Sequence, residues 1–391
     1  MTQDFKALRR LPIDTDYLCR VLLRLLETAS PSGMTDNVVH LVGAELEALG
    51  IDYALTRRGA IRANLAGRGG GGAFAPERAI IAHLDTLGAM VKELKPNGRV
   101  ALAPIGHWSA RFAEGTRCTI HSDGLRCVTG TILPLKASGH TYNEEVDTQP
   151  SKWTNLEVRI DEDCRSLDDL HRLRIDVGDM VAIASSPVIT PTGFINARHL
   201  DDKAGVATIL AAAKAVTEGQ VRLPMDCHLL FTISEEVGVG ASAVLHGDVA
   251  EMVSIDNGTL APGQNTSEYG VTVTMMDSAG PFDWHLTRTL LGLCEAHGIE
   301  HSRDVFRYYR SDGAAALEAG NDIRTALLCF ACDGSHGWER THVRSLEALA
   351  ALLTLYMQSD LAFQRDRRPI GPMEDFPYQP FPEETEGHGG G

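Results

Sequence analysis

Apolar residues recur at three- and four-residue intervals across positions 18–26, the spacing of an amphipathic helix, and Ser30-Pro31-Ser32-Gly33 stops it. A second helical pattern covers 35–49 and ends at Gly50. Positions 61–65 then read as a strand and the glycines at 69–72 as a flexible loop. Ala79-Ile80-Ile81-Ala82 is a short apolar strand that runs directly into His83. From about 95 to 191 the texture changes. Short β-like pieces at 100–102, 118–120, 128–132, 156–160 and 180–183 are divided by Gly, Pro and Asp turns, which predicts a small β-rich insert. Beyond it, 204–216 is an alanine-rich helix with Gly205 near its start. The apolar strand at 227–233 delivers Ser234-Glu235-Glu236, and the strand at 252–255 delivers Asp256. Helices at 282–297 and 346–358 flank two further strand candidates, 305–309 and 326–330.

Repeated strand, polar cluster and helix units predict an α/β fold. The expected division is a discontinuous catalytic domain at 1–95 and 190–360, an inserted β-rich domain at 96–189, and a loose Pro/Glu/Gly-rich tail at 361–391. At 391 residues the chain is too long for one small core. A formal net charge of -16 argues against broad nucleic-acid binding and against an anionic membrane surface. The eight cysteines are too scattered for a disulfide framework. No apolar run has the length of a membrane span and the first residues lack a signal-peptide core, so the cytoplasm is the expected location.

The chemistry lies in the clusters at the ends of the apolar runs. His83 and Asp85 are two apart, so on a strand both point to one side. A carboxylate beside a metal-bound imidazole can hold the second ring proton; a hydrogen-bonded histidine at a strand end is the plainer alternative. Asp201-Asp202 opens the alanine-rich helix. Capping explains one aspartate there, but not two together with His199. A carboxylate bridging two ions suits that position. Glu235-Glu236 places adjacent acids at a buried strand end, where they repel unless cations or protons neutralise them. One would bind metal while its neighbour takes a proton from water; otherwise the pair is a solvated acidic loop. Asp256 begins Asp-Asn-Gly, also a good turn, and His336 lies in a glycine-rich loop before the last helix. Together these residues supply oxygen and imidazole ligands for a two-metal hydrolytic centre.

Other features say less. Cys329-x-x-Cys332 lacks a second pair and reads as core. Ser32 and Ser138 have no nucleophile-elbow context, and there is neither an H-E-x-x-H nor a phosphate-binding glycine motif. His107, His121, His140 and His171 read as surface or core histidines of the insert.

The succession Ala82-His83-Leu84-Asp85, Ala103-Pro104-Ile105-Gly106, Asp201-Asp202-Lys203, Glu235-Glu236-Val237-Gly238, Ile255-Asp256 and Ser335-His336 resembles the tetrahedral (TET) dinuclear metal aminopeptidases over residues 15–358. That family holds glutamyl and deblocking aminopeptidases, and some members carry an endoglucanase name. Among its branches the chain is most similar to the peptidase accompanying synthesis of the osmoprotectant N-acetylglutaminylglutamine amide. The resemblance implies a mixed-sheet α/β/α zinc-peptidase-like domain with a small β-rich insert. It implies that His83 and Asp256 bind one ion, Glu236 and His336 the other, and Asp201 both. Glu235 would then be the general base, Asp85 would orient His83, and Asp202 would support the bridge through an unusual peptide geometry. The chain departs from the family at its T-D-A-G segment, which here reads Tyr309-Arg310-Ser311-Asp312-Gly313-Ala314. Arg310 and Asp312 are the substrate-binding candidates: Arg310 could meet a substrate carboxylate, or be a surface arginine.

The expectation is an aminopeptidase that cleaves peptide or small amide bonds with water activated by two divalent ions. Zinc is favoured, with cobalt or manganese as alternatives. A deacylase or carboxypeptidase using the same chemistry, and a metal-binding scaffold without activity, are the alternatives. An endoglucanase fits poorly, because glycosidic cleavage ordinarily uses two protein carboxyls. The family also implies self-association, from dimers up to a tetrahedral dodecamer. Trp108, Phe112 and Trp153 could anchor an interface or fill a core, and the net charge predicts that salt favours assembly.

Overall fold

The computed structural model describes residues 4–68, 76–122, 126–368, 371–374 and 376; the glycine run at 69–72 and the end of the tail, 377–391, lie outside the described residues. A nine-stranded mixed sheet forms the frame. Its centre is four parallel strands in the spatial order Cys227–Thr232, Glu77–His83, Val249–Thr259 and Arg324–Cys332. Their middle stretches, Leu229-Leu230-Phe231, Ala79-Ile80-Ile81-Ala82, Met252-Val253 and Ala326-Leu327-Leu328, are apolar and buried, as burial on both faces demands. Antiparallel strands close the flanks: Ile61–Leu65 and Tyr53–Leu55 on one side, Val271–Asp277 on the other.

The helix Leu200–Glu218 packs against the middle strands, and helices Thr15–Glu27 and Val343–Gln358 pack against it in turn. Its alanines are buried almost throughout, and their small side chains let backbone approach backbone on several sides. The helix Thr15–Glu27 starts where Asp14 accepts a hydrogen bond from the Tyr17 amide at 2.9 Å, an N-cap read from sequence only as a helical period. Among the described residues, no helix is long and apolar enough to cross a membrane.

Six strands between Gly88 and Ile183 close a barrel in the order Gly88–Leu94, Val100–Ile105, Leu156–Ile160, Arg126–Pro134, Arg117–Ser122 and Met180–Ile183. The barrel has a core of its own, separate from that around the large sheet. Trp108 and Trp153 meet edge to face in it at 4.8 Å, while Phe112 stays 38% exposed. The first barrel strand starts ahead of the expected boundary at 96. A register shift between Val91 and Glu93 breaks its alternation, so the strand was hidden in the sequence.

Two further expectations change. The run 305–309 is not a strand: pairing occurs at His301–Val305, and the aromatic residues beyond it form a cleft wall. Asp256 does not follow its strand but lies inside Val249–Thr259, which continues through the Asp-Asn-Gly turn signal because Arg324–Cys332 pairs with it from Glu251 to Thr259. A small sheet of Val188–Ile189, Phe194–Ala197 and Glu339–His342 was not foreseen. It pairs Ala197, just before Asp201, with Glu339, just after His336.

Candidate metal centre

The C-terminal ends of the parallel strands converge, the position where open α/β sheets place their ligands. His83 ends its strand, Asp256 sits within the next, Glu235 and Glu236 follow Cys227–Thr232, and His336 follows Arg324–Cys332. Asp201 arrives from the start of the long helix. Two sets of possible ligand atoms lie within 4.8 Å of one another: His83, Asp201 and Asp256, and Asp201, Glu236 and His336. Asp201 belongs to both. Its Oδ1 lies 3.1 Å from His83 Nε2 and its Oδ2 lies 3.3 Å from His336 Nε2. Glu235 Oε2 lies 3.8 Å from His83 Nε2, and Glu236 Oε2 lies 3.8 Å from His336 Nε2.

Each imidazole is fixed from behind. His83 Nδ1 is 2.9 Å from the backbone carbonyl of Asp85, with the Asp85 carboxylate farther away at 3.7 Å. The main-chain oxygen is thus the nearer of the two Asp85 groups to the ring, the strand having ended at His83. The Asp85 carboxylate instead accepts from the amides of Glu235 and Glu236, at 3.1 and 3.3 Å, and from Ser32 Oγ at 2.5 Å. So Asp85 holds the backbone that presents both glutamates. His336 Nδ1 lies 2.9 Å from the His107 carbonyl, which comes from the barrel side of the chain.

Asp202 turns away from the ligand sets. Its Oδ2 accepts from the His83 amide at 3.2 Å, and the Asp201–Asp202 peptide is cis. A Cβ at Gly205 would sit 2.2 Å from Asp202 Oδ1, so glycine is required where the carboxylate lies over the helix. His199 stands apart from both ligand sets: its Nε2 lies 3.2 Å from the Ile183 carbonyl at the end of the barrel, and burial pushes its pKa down to about 3. The guanidinium of Arg310 pairs with Glu318 at the cleft edge. Asp312 is buried and its carboxylate accepts from Thr232 Oγ1 and the Ala241 amide, both at 2.7 Å; burial raises its pKa to about 6.

Three residues were missed or set aside in the sequence reading. Glu339 accepts from the His336 amide at 2.9 Å and the Asp201 amide at 3.2 Å, tying the two ligand segments together. Asn257 Nδ2 donates to Asp201 Oδ2 at 2.7 Å. Ser32 carries no motif at all. Glu339 and Asn257 each stand beside or near a chosen residue, and that adjacency was the available signal.

The electrostatics test whether cations fit. Asp201, Asp202, Glu235, Glu236 and Asp256 crowd one space with little water access. Burial, followed by charge repulsion among them, raises Asp256 and Glu236 well above the carboxylate range; burial raises Asp202 and Glu235 likewise, against the pull of His83. Burial also opposes charge on the imidazoles, yet the hydrogen bonds to Asp201 lift His83 well above its usual value and His336 to about 10. Asp201 itself is drawn below the carboxylate range by those two histidines, despite burial. Hard oxygens and imidazoles that must otherwise borrow protons are a donor set suited to divalent ions.

A sheet-end cluster with a shared carboxylate and a spare glutamate defines a dinuclear metal-dependent hydrolase. The family model for the M42 glutamyl aminopeptidases matches residues 63–352. YhfE of Bacillus subtilis (strain 168) is 35% identical over 341 residues, covering 87% of this chain and 97% of that protein. Glutamyl aminopeptidase of Lactococcus lactis subsp. cremoris (strain MG1363) is 23% identical over 176 residues, 44% of this chain and 47% of its own. Among solved structures, aminopeptidase APDkam598 of the archaeon Desulfurococcus kamchatkensis has a TM-score of 0.79 at 19% identity, covering 89% of this chain and 96% of that one. The TET1 peptidase of Pyrococcus horikoshii has a TM-score of 0.76 at 19% identity, covering 87% and 99%. At those identities the structural likeness is one of fold. The chain belongs to the M42 glutamyl aminopeptidase family and is a metal-dependent aminopeptidase.

Proposed function

We propose that His83 and Asp256 hold one divalent ion, Glu236 and His336 a second, and Asp201 both, with Glu235 as the general base of peptide hydrolysis. The carrying observation is that the two oxygens of Asp201 face two different imidazoles, at 3.1 and 3.3 Å. When bound, two ions polarise the scissile carbonyl and make water nucleophilic at neutral pH. Zinc is the favoured ion on ligand type. Glu235 Oε2 lies outside both ligand sets and is free to take the water's proton and pass it to the departing amine. Asp85 orients His83 through its carbonyl and holds the Glu235-Glu236 backbone through its carboxylate. Asp202 supports the Asp201 turn from behind. Asp312 braces the cleft wall against the strand Cys227–Thr232. Arg310 meets a substrate carboxylate by exchanging its partner Glu318, whose side chain is more exposed than its own.

The catalytic module expected at 1–95 and 190–360, less the barrel strand Gly88–Leu94, supplies the ligands, and the barrel supports the His336 loop through His107 and Phe112. The substrate is a peptide or small amide. Association with the N-acetylglutaminylglutamine amide system rests on sequence resemblance alone. The Pyrococcus horikoshii peptidase assembles into a tetrahedron or a large octahedral shell; self-association of this chain, up to a dodecamer, follows from that likeness and from apolar residues such as Phe112, Leu135 and Tyr142 left exposed on the barrel side. Light scattering should give a particle larger than a monomer that grows with salt, and a monomer at every ionic strength would remove this part of the reading.

The test of mechanism is Glu235→Gln. Hydrolysis of an unblocked peptide should collapse with both ions retained by elemental analysis, and a near-parental rate would refute the role of Glu235. A preference for N-acetylated over free-amine peptides would refute the aminopeptidase reading itself.

A further inference from the structure

A cleft of about 620 Å³ opens over the ligand groups, and Glu235, Glu236 and Asp312 are among the residues that line it. The segment that carries the two glutamates, 233–240, has little apolar packing beyond Ile233. Its tip stands in solvent, with Val237 and Val239 exposed. Two turn bonds lie within it, from the Gly238 amide to the Glu235 carbonyl at 2.6 Å and from the Val239 amide to the Ser234 carbonyl at 3.1 Å. Asp85 grips its middle through the amides of Glu235 and Glu236. Exposed segments with few apolar contacts open at low free energy, so the polar contacts at the base decide how firmly this one is held.

Asp312 closes that base. Thr232, the last residue of its strand, donates through Oγ1 to Asp312 Oδ2 at 2.7 Å, and the Ala241 amide donates to Oδ1 at 2.7 Å. One side chain thus joins the residue just ahead of Ile233 to the residue just after Gly240. The backbone wraps it closely: a Cβ on Gly240 would lie 2.2 Å from Oδ1. Thr232, Ala241 and Asp312 are all buried. Asp312 also opens the helix Asp312–Glu318, which packs on the short turn Ala241–Ala243. Two donors aimed at one side chain need an acceptor on each of its oxygens, which a carboxylate supplies and an amide does not. Both oxygens of Asp312 are committed to the chain.

We propose that Asp312 is a positioning residue for hydrolysis, which by tying Thr232 to Ala241 fixes the segment that presents Glu235 to the attacking water. The proposal rests on the aminopeptidase reading of the site, with Glu235 as the base. A general base must lie within hydrogen-bond reach of the proton it takes, and a misplacement of about 1 Å can cost on the order of 10²-fold in rate. Asp85 fixes the two glutamate amides, and the closed base stops the segment from pivoting about that grip. Glu236, as an ion ligand, has a second hold in the loaded protein. Glu235 has only its backbone.

The experiment compares the metal-loaded full chain with Thr232→Val and Asp312→Asn, each alone and combined with Glu235→Gln. Three quantities are read: ions bound per subunit, kcat and KM on an unblocked aminoacyl anilide, and amide hydrogen exchange over 233–241 by mass spectrometry. The Asp312 charge also bears on Glu235; Thr232→Val removes one hydrogen bond and keeps that charge, so it separates holding from charge. The expected result is an unchanged ion content, a KM within a few-fold, faster exchange in the segment, and a kcat lower by about 10-fold for Thr232→Val and on the order of 10²-fold for Asp312→Asn. In the Glu235→Gln background neither substitution should lower the residual rate further, because the group they position is gone. An unchanged kcat beside an active parent overturns the proposal. So does a fall of equal size in the Glu235→Gln background, which would mark a general structural role. A raised KM at constant kcat overturns it in favour of a substrate contact, and a loss of bound metal that accounts for the fall overturns it in favour of an effect on Glu236. Should Asp312→Asn fail to fold, Thr232→Val carries the same outcomes. A fully metallated parent that hydrolyses no unblocked substrate refutes the aminopeptidase reading, a failure visible before any variant is compared.

Discussion

Two adjacent strands, Glu77–His83 and Val249–Thr259, carry buried charge at both ends, and the two ends behave differently. At the start of the pair Arg78 faces Glu251 across the ladder, 2.9 Å apart. Tyr356 lies under the guanidinium at 4.3 Å and donates to Glu251 Oε1 at 3.0 Å, and the Ala362 amide donates to Oε2 at 3.0 Å. Each charge there meets its opposite within the protein. At the other end the same strands carry His83 and Asp256 into a cluster where acids outnumber imidazoles. A buried cluster that closes on itself is structural; one left short of cations is a place for ions. Burial and charge are common to both ends, and only the balance of signs distinguishes them.

The comparison breaks most visibly at Asp201. Asp201→Ala removes the carboxylate shared by both ligand sets, so elemental analysis should show both ions lost and peptide hydrolysis reduced by at least on the order of 10³-fold. His336→Ala should cost one ion, leaving the more buried His83 set occupied. At the opposite end, Glu251→Ala leaves the Arg78 charge buried and unpaired, and denaturant unfolding should show a loss of about 3–5 kcal/mol with ion content per folded subunit unchanged. If Glu251→Ala strips metal as well, the two ends are not independent.

Gly205→Ala drives a methyl group into the Asp202 carboxylate, which lies 2.2 Å from where the Cβ would be. We expect roughly 1–3 kcal/mol of destabilisation and weaker metal retention, read by melting with and without chelator. The pH response sharpens the contrast further. In metal-stripped protein, Asp256, Glu236 and Glu339 have folded pKa values above their unfolded ones, Glu339 reaching about 8, and His336 reaches about 10. The folded chain therefore holds protons that the unfolded chain releases, and its stability falls as pH rises from about 5 through about 8 for Glu339 and on to about 10 for His336. The lowered pKa of Asp201 acts in the opposite sense, but only below the ordinary carboxylate range. Melting curves of stripped protein should drop over that window and those of loaded protein should not; a flat stripped profile would mean the cluster is neutralised by other means. The smallest effect is expected from Glu318→Gln, which frees Arg310 and should leave the denaturant midpoint essentially unchanged, as for an exposed ion pair, while lowering KM for substrates bearing a carboxylate.

Much of the centre was legible in the chain. Acidic and histidine residues placed at the edges of apolar runs are costly in a metal-free core, so their types and positions alone directed attention to His83, Asp201, Glu235, Glu236, Asp256 and His336. The strands at 61–65, 156–160 and 180–183 were equally plain, because alternation or an apolar run is a local property. The strand Gly88–Leu94 was hidden by a bulge, and the end of Val249–Thr259 by a turn sequence overridden by its neighbour. Local pattern names an element only where the partner strand does not decide the matter.

What only the tertiary structure decided is how these residues face one another. Sequence read the Asp85 carboxylate as the partner of His83; in the fold the Asp85 carbonyl lies nearer to the ring, and the carboxylate accepts from the glutamate backbone. Sequence set aside Ser32 and His107, and had no means to single out Glu339 or Thr232. Each of these contacts joins segments far apart in the chain, Ser32 to Asp85, His107 to His336, Glu339 to Asp201, Thr232 to Asp312. Residue type and local period determine which groups the protein buries. Which atom of each group meets which partner depends on the closure of the sheet and the docking of the barrel, and no local pattern encodes either.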